Sequence, residues 1–291
     1  MYTDKKLSRA LKHATLHSFD KDSKYIFFSD IHRGDDSVSD EFARNQTVLL
    51  AALEYYYEKG YTYVEAGDGD ELWEYPNFKH IRLAHGDIFA VMKKFYDKGQ
   101  LILIYGNHDI DRKNPSYVKA NLYRYYDEYK GAYCNLFPGI VPIEALFLKH
   151  KTGGQKLLVV HGHQGDLWND QLWWFSRLLL RYFWRYLHVV GFRNPASPAR
   201  NLYKRHKIEK NYKHWILRHH TPLLCGHTHR PRFPREGELP YYNTGCCIHT
   251  KGIVGMELTE GKLSMVDWRM KPQADGSLKM ERTIVRGPVV F

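Results

Sequence analysis

Five short stretches of this chain carry residue types that bind metal ions or move protons. They read Asp30-Ile31-His32, Gly67-Asp68-Gly69-Asp70, Gly106-Asn107-His108-Asp109, His161-Gly162-His163 and Gly226-His227-Thr228-His229. Asp, Asn and His without thiolate make a mixed oxygen and imidazole donor set. Such a set suits Mn, Fe or Zn in a reactive site rather than a structural zinc. The chain has 17 histidines, so close pairs such as His219-His220 also arise by chance. The GHTH pair alone decides nothing. Five such stretches, each after an apolar run and each with a glycine nearby, are not a chance pattern.

The apolar runs are the elements that must position these residues. Tyr25 to Asp30, Tyr61 to Asp68, Gln100 to Asp109, Lys156 to His163 and Thr221 to His229 each read as a strand ending in polar residues. Helical spacing fills residues 40–59, ended by Gly60, and 79–98, ended by Gly99; the first 20 residues read as a surface helix. Alternating strands and helices predict an α/β layered fold. Ligands in such folds sit at the carboxyl ends of strands. His85-Gly86-Asp87 resembles a ligand motif but falls inside a helical pattern. His80, His150, His188, His206, His214 and His249 also lack a strand end and read as surface or packing residues.

Asp30, His32, Asp68, Asn107, His161, His227 and His229 are too many ligands for one ion. With one carboxylate shared, they fit two metals about 3.5–4 Å apart, a pair that activates water and clamps a phosphoryl group.

The series D-x-H, G-D, G-N-H-[DE], H and G-H-x-H, in this order, resembles the calcineurin-like metallophosphoesterase superfamily. The motifs span residues 30 to 229. The resemblance implies a four-layer α/β/β/α sandwich and a dinuclear centre that hydrolyses phosphate esters or anhydrides. By that resemblance Asp30, His32 and His229 hold one metal, Asn107, His161 and His227 hold the other, and Asp68 bridges them. His108 matches the family's non-ligand histidine, which stabilises the phosphoryl group or protonates the leaving oxygen. The family often reads G-D-x-x-D, whose last carboxylate orients that histidine. Glu71 stands in that place here, with Asp70 and Asp109 as rivals. His163 is expected behind the ligands, and Asn243-Thr244-Gly245 is expected to be structural.

Residues 166–220 are the unusual part of the chain. They hold 11 Lys and Arg against Asp166, Asp170 and Glu209, which accounts for +8 of the total net charge of +11. Arg177, Arg181 and Arg185 recur at helical spacing in an apolar segment rich in Trp and Phe, and a second helix is expected from about 200 to 220. Like charges at i, i+4 repel, which implies an anion beside them. Three readings are open: helices packed on the domain with Arg stems over apolar surface, a nucleic-acid surface, or a cap over an amphiphilic, phosphorylated substrate. The third is favoured. A basic amphipathic helix also suits an anionic membrane surface. This insertion, followed by GHTHRP, is similar to the UDP-2,3-diacylglucosamine pyrophosphatases of lipid A synthesis, which cleave a lipid-linked nucleotide sugar, usually with Mn. Many of those enzymes carry Arg where His108 stands, and read H-G-D where this chain has HGH.

One metallophosphoesterase domain is therefore expected over 1–291, with a helical lid inserted at 166–220. Two divalent ions are expected, Mn first, with Fe or Zn as alternatives. A phosphoprotein or small-molecule phosphatase and a nucleic-acid phosphodiesterase are the enzymatic alternatives. A membrane- or nucleic-acid-binding protein on the same scaffold is the non-enzymatic one, and the complete ligand set argues against it. The four cysteines, Cys134, Cys225, Cys246 and Cys247, form no C-x-x-C pair and read as reduced thiols of a cytoplasmic protein. The first residues lack the apolar core of a signal peptide. No stretch of about twenty residues is free of charge, so no spanning helix is expected. Residues 272–291 read as an added strand or a loose tail.

Overall fold

The structure is a computed structural model that describes residues 2–166 and 202–291. Its centre is a pair of sheets. One contains β2 (Tyr25–Phe28), β3 (Thr62–Ala66) and β4 (Leu101–Ile104) side by side and parallel. It continues through β11 (Ile253–Thr259), β12 (Lys262–Pro272) and β13 (Leu278–Val290), all antiparallel to their neighbours. The other sheet runs β1 (Thr15–Phe19), β7 (Ala145–His150), β8 (Lys156–Val160), β9 (Leu223–Cys225) and β10 (Tyr241–Asn243). α5 (Pro115–Leu122) leads into a separate hairpin of β5 (Arg124–Asp127) and β6 (Ala132–Asn135).

Strand alternation explains the layers. Phe27 and Val64 of the first sheet meet Leu157, Val159 and Leu224 of the second in one buried cluster between the sheets. Their neighbours Ile26, Phe28 and Tyr63 point the other way, into the helices α2 (Gln46–Glu58) and α4 (Gly86–Asp97). Leu158, Val160, Leu223 and Cys225 point out of the second sheet, into α1 (Tyr2–Lys12) and α6 (Leu202–His219). This is the expected α/β/β/α order. The five ligand-bearing strands were one alternating series in the sequence; the structure divides them, three in one sheet and two in the other.

Three differences have local causes. The helical pattern over 79–98 is two helices, α3 (Phe78–Ala84) and α4, broken at His85. His85 is fully buried and its ring sits 2.8 Å from both Asp40 Oδ2 and Gln46 Oε1, so it pins a loop rather than a metal. Residues 278–290 form β13, paired along β12. Finally, α6 buries Ile208, Tyr212, Trp215 and Ile216, so its inner face is an outer layer of the sandwich, not part of a lid. The remainder of the insertion, 167–201, lies outside the described residues.

Candidate metal centre

The carboxyl ends of β2, β3, β8 and β9 open into loops that turn back sharply. Asp30, His32, Asp68, His227 and His229 all adopt a left-handed backbone, with φ between 49° and 65°. A non-glycine residue held there costs about 1–3 kcal/mol, and such strain collects at functional sites. Two glycines let the carboxylates approach the main chain. A Cβ on Gly226 would lie 2.1 Å from Asp30 Oδ2, and one on Gly106 would lie 2.1 Å from Asp68 Oδ1. The freed space is used: His227 N–H donates to Asp30 at 2.9 Å, and His108 N–H donates to Asp68 Oδ1 at 2.8 Å.

The side chains form three adjoining groups whose donor atoms lie within 4.8 Å of one another: Asp30, His32 and His229; Asp68, His161 and His227; and His32, Glu71 and His108. The first two match the ligand sets expected for the two metals. Asp68 Oδ2 lies 3.0 Å from His161 Nε2 and 3.9 Å from His32 Nε2, between the groups. The ring of His161 is fixed by its Nδ1–H, which donates to the Ala66 carbonyl at 3.1 Å and leaves Nε2 facing inward.

The donor atoms test the fit to cations. Among the described residues, Asn107 Oδ1, His161 Nε2 and His227 Nε2 are buried and make no hydrogen bond; with its proton on Nδ1, His161 Nε2 faces the Asp68 carboxylate at 3.0 Å as acceptor to acceptor. An unpartnered buried acceptor is costly unless an ion uses it. These three are the residues expected to hold the second metal. The first group shows the same need differently: His32 Nε2 and His229 Nε2 face each other at 3.2 Å, and His229 Nε2 is 3.1 Å from Asp30 Oδ1. Hard oxygens and imidazoles converging from two sheets fit two divalent ions.

The charges reflect this crowding. Burial raises the Asp68 carboxyl, but His161, His108 and His32 outweigh it and hold the group well below its ordinary range. Burial acts likewise on Asp30, where His229 and His161 bring the carboxyl down to about 2. Burial disfavours charge on His108, yet Glu71 and Asp68 raise its ring to about 9.

A calcineurin-like phosphoesterase family model matches residues 23–231. The chain belongs to the calcineurin-like phosphoesterase family. It is thus a metal-dependent hydrolase of phosphate esters by family. No curated protein matches the chain. Among solved structures it is similar to vacuolar protein sorting 29 from Cryptosporidium parvum, at 15% identity and TM-score 0.38, covering 91% of this chain and 98% of that one. It is also similar to a putative 5'-nucleotidase from Staphylococcus aureus, at 14% identity and TM-score 0.37, covering 92% of this chain and 55% of that one.

In this phosphoesterase, His108 stands beside the ligands. Its Nδ1 is 2.7 Å from the Glu71 carboxylate, and its ring stacks on Trp73 at 4.1 Å. Of the three candidate orienters, Glu71 is the one in place. Asp109 instead accepts from the backbone N–H groups of Gly69 and Gly106, and Asp70 is taken up by Arg33 and Arg112, so neither reaches the His108 ring through those oxygens. His163 is buried behind His161, and its Nδ1 has no hydrogen-bond partner among the described residues. Asn243 donates to the Gly226 carbonyl at 2.6 Å and bears the GHTH turn.

Two residues beside His227, read in the sequence only as charges of the insertion, make contacts that the sequence did not foretell. Asp166 Oδ2 lies 3.6 Å from His227 Nε2 and 2.7 Å from Lys204 Nζ at the start of α6. The signal was present, since Asp166 opens the insertion, but a single Asp in a loop does not announce its contacts. Arg177, Arg181 and Arg185 lie outside the described residues. No helix among the described residues is long and apolar enough to cross a membrane.

Proposed function

We propose that this metallophosphoesterase hydrolyses a pyrophosphate or phosphate ester on a nucleotide-linked or lipid-linked substrate such as UDP-2,3-diacylglucosamine. Asp30, His32 and His229 would hold one ion, Asn107, His161 and His227 the other, with Asp68 shared and Mn the preferred metal. When bound, the two ions supply Lewis-acid charge for the phosphoryl oxygens. The observation that carries the hydrolytic part is the trio of unpartnered buried donors at Asn107, His161 and His227 beside a carboxylate between two groups.

The chain's own residues divide the remaining work. Glu71 fixes Nδ1 of His108 and leaves Nε2 to face the substrate. From there His108 would hand a proton to the departing oxygen. Trp73 and Glu71 together keep that ring in one orientation. Lys204 supports the assignment of an anionic substrate, because its ammonium stands over the His227 corner. By charge and helical spacing in the sequence, Arg177, Arg181 and Arg185 would bind substrate phosphates. Exposed Lys5, Arg9 and Lys12 of α1, with Lys207 and Lys210 of α6, favour contact with an anionic membrane surface.

The test is phosphorus NMR of products from Mn-loaded protein. UDP-2,3-diacylglucosamine, an aryl phosphate monoester and an aryl phosphodiester are offered separately, with EDTA as control. Release of UMP at rates far above the aryl esters is expected. Turnover of aryl esters alone would keep the metal centre and remove the lipid-linked substrate.

A further inference from the structure

Beneath the metal centre lies a set of charges with almost no exposure. Arg33 and Arg112 are buried together with Glu65, Asp70 and Asp109. Arg33 donates Nε to Asp70 at 2.7 Å and both terminal nitrogens to Glu65, at 2.7 and 2.8 Å. Arg112 reaches Glu65 at 2.9 Å, Asp109 at 3.2 Å and Asp70. Asp109 completes the set by accepting from Gly69 N–H at 3.0 Å and Gly106 N–H at 2.6 Å.

The placement of these charges is systematic. Arg33 follows His32. Asp70 lies two residues after Asp68, and Asp109 two after Asn107. Arg33, Asp70 and Asp109 therefore sit on loops that carry candidate ligands, while Glu65 lies in β3 and Arg112 in the turn that follows Asp109. The loops also share main-chain bonds: Ile31 and His32 donate to the Asp68 carbonyl at 2.9 Å, and Arg33 donates to the Gly69 carbonyl at 3.0 Å. Among the described residues no main-chain bond of that kind ties the Asn107 loop to the Asp68 loop; carboxylates make that tie, Asp68 by accepting from His108 N–H at 2.8 Å and Asp109 with one oxygen on Gly69 N–H and the other on Gly106 N–H. A buried ion pair is a poor source of net stability, because desolvation opposes the attraction. It is a good source of fixed geometry.

We propose that Asp109, held by Arg112, is a positioning residue that clasps the Asp68 and Asn107 loops and so sets the spacing of the second metal site. The inference rests on the dinuclear reading of the centre. It assigns Asp109 a role through Gly69 and Gly106, not through His108. The clasp acts on the ion shared by Asp68 and Asn107, and leaves the Asp30, His32 and His229 group in place.

Asp109→Asn tests it. The amide keeps the shape and balances two guanidinium groups with two carboxylates, but an Asn has one acceptor oxygen for two N–H groups. Metal-stripped protein is titrated with Mn²⁺ against a competing chelator, with Mn EPR of the loaded forms and the melting temperature of the stripped forms. In the variant the second Mn equivalent should bind about 10–100-fold more weakly, the range for outer partners of metal ligands. EPR should then show isolated Mn where the parent shows a spin-coupled pair, with little change in melting of the stripped protein. Arg112→Lys, which keeps the charge and loses the fork, should shift the second equivalent in the same direction if Asp109→Asn does not fold. Equal affinity for both equivalents and a coupled signal in either folded variant would overturn the clasp. A parent protein that takes up no second equivalent would overturn the dinuclear reading, and the clasp with it.

Discussion

Glu71 joins two histidines with different tasks: its carboxylate lies 2.8 Å from His32 Nδ1 and 2.7 Å from His108 Nδ1. One ring also belongs to the Asp30 and His229 group, and the other does not. In both, the carboxylate fixes Nδ1; in His32 this leaves Nε2 facing His229 and the Asp68 carboxylate.

Removing the His108 ring should therefore separate chemistry from metal binding. His108→Ala is expected to lower turnover about 10²–10⁴-fold, the usual contribution of a positioned acid. Metal content should stay at the parent level by elemental analysis. Parent-like turnover would take His108 out of the mechanism.

Glu71→Gln should behave differently, because it disturbs both rings. Turnover should fall as in His108→Ala. Affinity for the ion at Asp30, His32 and His229 should also weaken, by about 10–100-fold. Chelator competition separates the two variants.

Lys204 is predicted to bind substrate and to leave the chemical step alone. A hydrogen bond to a charged group is worth about 1.5–3 kcal/mol, so Lys204→Ala should raise KM at least about tenfold at nearly constant kcat. Initial rates with an anionic phosphate substrate check this. A fall in kcat at unchanged KM would place Lys204 elsewhere.

The buried charges give a pH dependence. Burial opposes ionisation of Glu65, but Arg33 and Arg112 prevail and bring it from 4.5 to about 2. The folded value is depressed, so its stabilisation is full above pH 4.5 and is lost as pH falls through about 2. Glu65→Gln should melt at lower temperature than the parent at neutral pH, and the gap should narrow in that acid window. A gap independent of pH would contradict the assignment.

The donor residues that the structure brings together were legible because each follows an apolar run in a short, ordered motif. The layers were legible for the same reason, since Ile26/Phe27 or Leu158/Val159 must face opposite ways in a strand. Which strands share a sheet was not. β1 pairs with β7 through Thr15 and Leu146, a contact that local pattern does not encode. β13 is largely exposed and contains Pro288, so it lacks the apolar signature of a strand. The clasp was illegible for another reason. Arg33, Glu65 and Arg112 belong to no motif, and Asp70 read as a rival orienter of His108, until the fold buries all four together. Nor does the sequence mark His227 or Asp68 as left-handed, because neither is glycine.

The most direct measurement is hydrolysis of an aryl phosphate ester while Mn²⁺ is titrated into metal-stripped protein, with Asp68→Ala alongside. Turnover should be absent at the start, rise as two equivalents bind, and stay absent in Asp68→Ala, which lacks the carboxylate between the two groups. Full turnover in the stripped protein, or in Asp68→Ala, would contradict a metal centre built on these residues.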